Sequence, residues 1–236
     1  MGWYDFGDYV PVAKKKENAE KQLAQLRKRD QNISPVIIEG RKITTTWWGT
    51  AWCKNLESYA DFSNRLGRGS AYLKNGFVLD LKIDEGVIKG KVYGSNLYDI
   101  NIKIDKLSSK NKETVISAIG HRISSIEDLI SGNFPQEFGD IFLTQHKGLF
   151  PSPKEICLGC SCPDWAVMCK HVAAVLYGVG ARLDVDPLLF FKLRGVDVNE
   201  FIKKSIDEKM RNMLKNAGAR TARVIENADI AGLFGI

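Results

Sequence analysis

No apolar run in this sequence approaches the roughly 20 residues that a membrane-spanning helix needs, so no membrane partner is expected. The opening residues, MGWYDFGDYV, lack the basic stretch and apolar run of a secretion signal. Asp5 and Phe6 follow Gly2 where a myristoylation signal wants Ser or Thr. The expected location is the cytoplasm. Histidine is scarce, with three in 236 residues, and His121 and His146 have no ligand partner at a useful spacing. They read as surface or packing residues. The glycine-rich stretch GRGSAY, residues 67–72, has neither the GxGxxG spacing nor the GKS/T ending of a nucleotide loop. No pairing of a nucleophile with a base appears anywhere in the chain. The protein is therefore expected not to be an enzyme and to take no small-molecule substrate.

Charge of either sign is not extreme. There are 34 basic and 28 acidic residues, a formal net charge of +6. Such a bias permits nucleic-acid binding without requiring it. Residues 11–34 are polar and rich in helix formers, and their charges alternate in sign. That pattern reads as a solvated helical arm rather than a phosphate-binding one. Thr46 is placed to cap a helix through Trp48, Ala51, Trp52, Leu56 and Tyr59, whose spacings of three and four give one apolar face. The tryptophans are read as core rather than as a stacking surface, and Cys53 beside them as an inert buried thiol.

From residue 67 glycines punctuate the chain. Period-two patterns at Phe77–Ile83, Val87–Tyr93 and Tyr98–Ile104 predict an antiparallel meander of three or four strands, with turns at Asn75-Gly76 and at Asp84-Glu85-Gly86. Residues 107–148 look helical. Ser108 or Ser109 caps one helix, Ser124 or Ser125 starts a second, and Pro135 starts a third.

Four of the five cysteines fall between residues 157 and 169. Such clustering suits metal ligation better than a disulfide framework. Cys160-x-Cys162, six residues, then Cys169-x-His171 supply three thiolates and one imidazole, the donor set of a closed structural zinc site. In an extended strand Cys160 and Cys162 face the same way. Cys169 should sit just before a helix, with His171 in its first turn and Ala174, Val175 and Gly178 on the same face. That helix is expected to end at Gly178 or Gly180. Cys157 stands as an alternative ligand to Cys160. One structural Zn2+ is expected. Arg65 and Arg68, beside the glycine-rich stretch, are candidate contacts for phosphate or an acidic partner. The ligand turn presents Trp165 and Lys170, and Arg182 and Arg194 join Lys154 and Lys192 in a basic face.

Beyond Pro187, LLFFKLRG reads as a short packed helix, and residues 198–216 as an amphipathic helix with Phe201, Ile202, Ile206 and Met210 on one side. The fold class is α+β: an N-terminal helix and an antiparallel meander, then helices, a strand-turn-helix zinc finger and a helical C-terminal portion. The expected segments are 1–34 (a polar lead-in), 35–148 (α+β), 149–182 (the finger) and 183–236 (the extension).

The run CSCPDWAVMCKHVAAVLYGVGARLDVDPLLFFKLRGVD resembles the SWIM zinc-finger family, whose pattern is Cys-x-Cys, a variable spacer, then Cys-x-His. The Pro163-Asp164-Trp165 step belongs to the match. Upstream, WWGTAWCKNLE, RLGRGSAYLKNGFVLDLKI and VYGSNLYDINIKI look like the N-terminal part of prokaryotic SWIM-containing proteins, so the resemblance covers roughly residues 44–197. It implies a small domain of two strands and a helix around one zinc ion, a role in binding DNA or proteins, and work beside a SWI2/SNF2-like ATPase. With no Walker A motif in this chain, that ATPase would be a separate subunit. Asp164 and Trp165 carry over as fold residues, and the extra Cys157 departs from the family's minimal pattern.

Overall fold

A computed structural model describes residues 10–58, 63–120, 139, 148–164 and 166–197, with separate positions between 203 and 215. The chain forms two compact units, Met1–Val198 and Asn199–Ile236. The helices expected from Ser124 or Ser125 and from Pro135, His121, His146, Trp165, Tyr59, Phe201, Ile202 and the last 20 residues lie outside the described residues. In the second unit the described positions are helical, and Ile206, Met210, Met213 and Leu214 are exposed on them.

The first unit opens with α1, Val12–Arg29, within the helical arm expected over residues 11–34. A connecting segment follows and covers the free edge of β1. Val36 N–H donates to the Val78 carbonyl at 3.2 Å, Leu81 N–H donates to the Ser34 carbonyl at 3.0 Å, and Ser34 N–H donates to the buried Asp80 carboxylate at 2.8 Å. Helix α2, Trp47–Glu57, begins where Thr46 predicts, with the Thr46 hydroxyl accepting from Gly49 N–H at 3.1 Å.

Helix α3 spans Ser63–Lys74, so GRGSAYLK is helical. Gly69 is small for a packing reason. A Cβ there would stand 2.5 Å from the Cβ of Ala173 on a neighbouring helix. Asn75-Gly76 is not a hairpin turn but the end of α3. Gly76 has φ +76°, its N–H donates to the Leu73 carbonyl at 2.9 Å, and Phe77 N–H reaches back to the Tyr72 carbonyl at 3.1 Å. This pair of bonds is a Schellman stop, and the Tyr72 and Phe77 rings, 5.2 Å apart, supply its usual apolar contact.

The meander is β1 (Val78–Asp84), β2 (Val87–Tyr93) and β3 (Leu97–Ile104), within a residue or two of the period-two segments. Helix α4, Ser109–Gly120, starts after Ser108, whose hydroxyl accepts from Asn111 N–H at 3.3 Å. The fourth strand, β4 (Ile156–Cys160), comes from beyond α4 and pairs antiparallel with β3, giving sheet order β1-β2-β3-β4. The strand that carries Cys160 is thus part of the same sheet as the meander. Register places Leu81, Gly90, Ile100 and Cys160 in one row, and Ile83, Ile88, Ile102 and Leu158 in another two residues along. Side chains alternate across a sheet, so both rows share its inner face. Lys82, Lys89, Asn101 and Gly159 belong to the opposite face.

Helix α5, Lys170–Val185, lies over the inner face with α2 and α3 packed on its other side. Residues 171–180 are all buried, as a helix with neighbours on every side requires. It runs past Gly178 and Gly180, where a stop was expected. Both glycines are packing residues: a Cβ on Gly178 would stand 3.2 Å from Leu81, and one on Gly180 would stand 3.0 Å from the Cys53 sulfur and 3.1 Å from Trp52. Trp52 is fully buried, donates its indole N–H to the Leu176 carbonyl at 2.9 Å, and meets Phe150 and Phe190 edge-on. It offers no surface for bases. Cys53 is buried too, and burial pushes its thiol up to about 12. After Pro187 the short helix α6, Leu189–Leu193, buries Phe190, Phe191 and Leu193 as the sequence suggests.

Candidate metal centre

The ligand residues arrive from two directions. Strand β4 delivers Cys160 as its last residue. The chain stays extended beside β3 for one step more, because Ser161 N–H donates to the Asp99 carbonyl at 3.0 Å while Asp99 N–H donates to the Ser161 hydroxyl at 2.9 Å. Cys160 and Cys162 therefore project to one side. The chain then turns at Asp164, whose carboxylate accepts from Ala166 N–H at 3.2 Å and is paired with Arg65 of α3. Burial raises the Asp164 carboxyl, but the Ala166 amide and the Arg65 guanidinium outweigh it and hold the group below its ordinary value.

Cys169 is the N-cap of α5, with φ −80° and ψ 168°, and His171 is the second helical residue. Two residues apart within a regular helix would point about 200° away from each other. The extended backbone at Cys169 removes that conflict, and both side chains reach the same point.

The ligand atoms of Cys160, Cys162, Cys169 and His171 all lie within 4.8 Å of one another. His171 turns Nδ1 toward the sulfurs, 3.8 Å from Cys169 Sγ and 4.0 Å from Cys160 Sγ. A tetrahedral zinc site with bonds of about 2.0–2.3 Å separates its ligand atoms by roughly 3.5–3.8 Å, so the cluster needs only a slight contraction to close on one ion. With Nδ1 as ligand, the ring proton belongs on Nε2. That atom is buried and has no hydrogen-bond partner. It faces Gly94, where a Cβ would come within 2.8 Å of it. The imidazole is held by rings instead, Tyr98 at 4.6 Å and Tyr72 edge-on at 5.5 Å.

The thiols already behave unequally. The contact between the Cys160 and Cys169 sulfurs pushes the Cys169 thiol down and the Cys160 thiol up. Cys169 also stands at the positive end of α5, which favours its thiolate form. Three thiolates and a neutral imidazole are a soft donor set that suits Zn2+. Residues present therefore fit the ion, and the arrangement is compatible with one structural zinc. Cys157 is exposed, on the opposite face of the sheet from Cys160, opposite Lys103 in register, and outside the cluster.

The candidate contact residues divide. Arg65 is engaged with Asp164, Arg68 is exposed, and Lys170 lies 5.7 Å from the Tyr72 ring, all three at the metal end of the molecule. Arg182 is turned inward and donates to the Ser34 carbonyl and hydroxyl and to the Pro35 carbonyl at 2.6–3.1 Å. Arg194 is fully buried, bonded to Glu155 and to the Asp105 carbonyl, both at 2.5 Å. Lys192 holds the Ile83 carbonyl and Asp84. Sequence reasoning did not single out Tyr72, Tyr98 or Gly94 as neighbours of His171. The alternation in β3 places Tyr98 on the inner face, but its proximity to His171 depends on where α5 crosses the sheet.

Among known proteins, the chain is similar to the uncharacterized protein Rv2102 of Mycobacterium tuberculosis, with 35% identity over 156 residues. These are 65% of this chain and 56% of that protein, so the match spans little more than half of the relative's length. No family model matches the chain, and no solved structure matches it. Among the described residues, no helix is long and apolar enough to cross a membrane.

Proposed function

We propose that the protein is a non-catalytic zinc-binding adaptor of the SWIM type, joining DNA, a protein partner such as a SWI2/SNF2-like ATPase, or both. The observation that carries this reading is the convergence of Cys160, Cys162, Cys169 and His171 on one point. Four protein ligands of this kind fill a tetrahedron and leave no position for a reacting water. The nearby acid of the ligand turn, Asp164, is engaged by Arg65 and the Ala166 amide rather than held as a base. Zinc here is a folding device. It fixes the turn between β4 and α5 and thereby the surface around Arg68 and Lys170.

A second reading, a purely protein-interaction subunit, has its own support. Arg182 and Arg194 are spent inside the fold, which thins the basic face that the sequence suggests around the finger. The two readings separate in one titration of the zinc-loaded protein with a DNA duplex at rising salt. Affinity that falls steeply with salt is expected from phosphate contacts. No affinity at low salt would remove DNA from the reading and leave the protein partner. One zinc per chain is expected on purification, with a cobalt-substituted spectrum of four-coordinate sulfur-nitrogen type. A spectrum that shifts on adding small anions would reveal an open position and overturn the non-catalytic assignment.

A further inference from the structure

The chain's net charge of +6 is not spread evenly. Helix α1 alone holds seven lysines and arginines against two glutamates. The structure shows where those charges go. One face of α1 rests on the body through buried Ala19, with Lys15, Asn18, Gln22, Leu23 and Leu26 half-buried around it. Lys15 bonds the Tyr72 hydroxyl at 2.6 Å near one end, and at the other Asp30 receives Lys82 of β1 at 3.2 Å. The helix is therefore held at both ends.

The remaining face is a line of cations. At 100° per residue, Lys14, Lys21 and Lys28 fall within about 40° of one another and roughly 10 Å apart along the axis. All three are exposed, as are Arg27 and Arg29 on either side of Lys28. Glu17 pairs with Lys21 at 2.5 Å, but both side chains are more than half exposed, and such a pair yields readily to a better anion.

We propose that α1 is the surface on which this protein holds double-helical nucleic acid, with the Lys14, Lys21 and Lys28 line lying against the phosphate backbone. This rests on the DNA-binding half of the function proposed above and places the contact on the N-terminal helix instead of the metal centre. A row of cations about 20 Å long calls for a partner whose negative charge is continuous over that length, as in a duplex. The helix has no aromatic residue on which unpaired bases could stack, which disfavours a single strand. Between Lys14 and Lys28 no large apolar side chain is exposed, and the exposed Val10 and Val12 sit only at or just before the start of the helix, which does not make the continuous apolar face that a lipid-bound helix needs. The alternation of charge that makes α1 look merely solvated in sequence resolves, once wound into a helix, into a basic line with its acids to one side.

The test compares the full zinc-loaded chain with a Lys14→Gln/Lys21→Gln/Lys28→Gln variant. A control of equal charge carries Lys89→Gln, Lys103→Gln and Lys110→Gln at three exposed sites elsewhere. Binding to a fluorescent 20-base-pair duplex of arbitrary sequence is followed by anisotropy between 50 and 200 mM salt. The α1 variant should bind about tenfold or more weakly at the lowest salt, and its slope of log K against log salt should be shallower by about 2.7, the release of three phosphate contacts. Its zinc content and circular dichroism should match the parent, and the control should keep the parent slope. Parent binding with an unchanged slope in the α1 variant overturns this assignment alone. Equal losses in variant and control overturn it in favour of diffuse charge. Absence of parent binding at 50 mM salt overturns it together with the DNA-binding half of the function. Vesicles containing one-third phosphatidylserine are a further arm: loss of vesicle binding in the α1 variant with DNA binding intact would assign the helix to a membrane instead.

Discussion

At its N-terminal end, strand β4 is anchored by Arg194. The guanidinium is fully buried and meets Glu155 and the Asp105 carbonyl, while Glu155 also accepts from the Ser152 amide and hydroxyl at 2.8 Å. At its C-terminal end the same strand runs into a segment with almost no core. Between Cys160 and Met168 no described residue is buried, and what gathers there is Cys160, Cys162, Cys169 and His171. The first end pairs its buried charge with partners from its own chain and, among the described residues, leaves only Arg194 Nε without a hydrogen bond. The second end assembles ligands and leaves their completion to an ion. A turn this short cannot bury enough apolar surface to offset its own ordering, so metal binding and local folding become one event.

The largest effect should come from breaking the metal end. In Cys169→Ser, zinc should fall from one per chain to none, and amide protection should be lost across residues 156–171 while the β1–β3 ladder keeps its own. Zinc binding in small fingers is worth about 10–16 kcal/mol, which sets the scale. Full zinc content with unchanged exchange would sink the ligand assignment.

Glu155→Ala attacks the other end and should cost about 3–5 kcal/mol in denaturant unfolding near neutral pH, because it strands a buried guanidinium. Burial raises the Glu155 carboxyl, yet its bonds to Arg194 and Ser152 prevail and depress it overall. A depressed carboxylate stabilises the fold above its unfolded value near 4.3 and loses that contribution as pH falls through the folded value. The difference between parent and variant should therefore shrink in acid. A difference that grows below about pH 4 would contradict the assignment of the pair.

The smallest effect sharpens the contrast with a tie made only of hydrogen bonds. Asp184, near the end of α5, accepts from the amide and hydroxyl of Thr45 and from the Thr46 hydroxyl, which also caps α2. Thr46→Ala should cost about 1–2 kcal/mol and lower the melting temperature by a few degrees, with zinc content untouched. A loss of zinc in this variant would show that the two regions are coupled rather than separately held.

Much of this was readable in the residues. The strands follow from strict alternation, as in Tyr98, Ile100, Ile102 and Ile104, and the ligands from the joined spacing of Cys160, Cys162, Cys169 and His171. Thr46 and Ser108 announced their helices. Other residues misled for identifiable reasons. Gly76 ends a helix instead of turning a hairpin, because a left-handed glycine serves both purposes equally well. Gly178 and Gly180 looked like stops, yet they let α5 approach its neighbours. Arg182 and Arg194 looked like surface cations. Their carboxylate and carbonyl partners lie 39 to 148 residues away in the chain, beyond the reach of any local pattern.

By itself the sequence determined the donor set of the metal centre, the meander and the caps, because each depends on spacing within a few residues. Tertiary structure alone decided which cations remain free. It buried Arg194, turned Arg182 inward, engaged Arg65, and left Lys14 and Lys28 exposed on the outside of α1, with Lys21 between them held only by its exposed pair with Glu17. A charge is available to a partner only if the fold has not buried it in a pair, and that burial is settled by contacts between elements far apart in the chain.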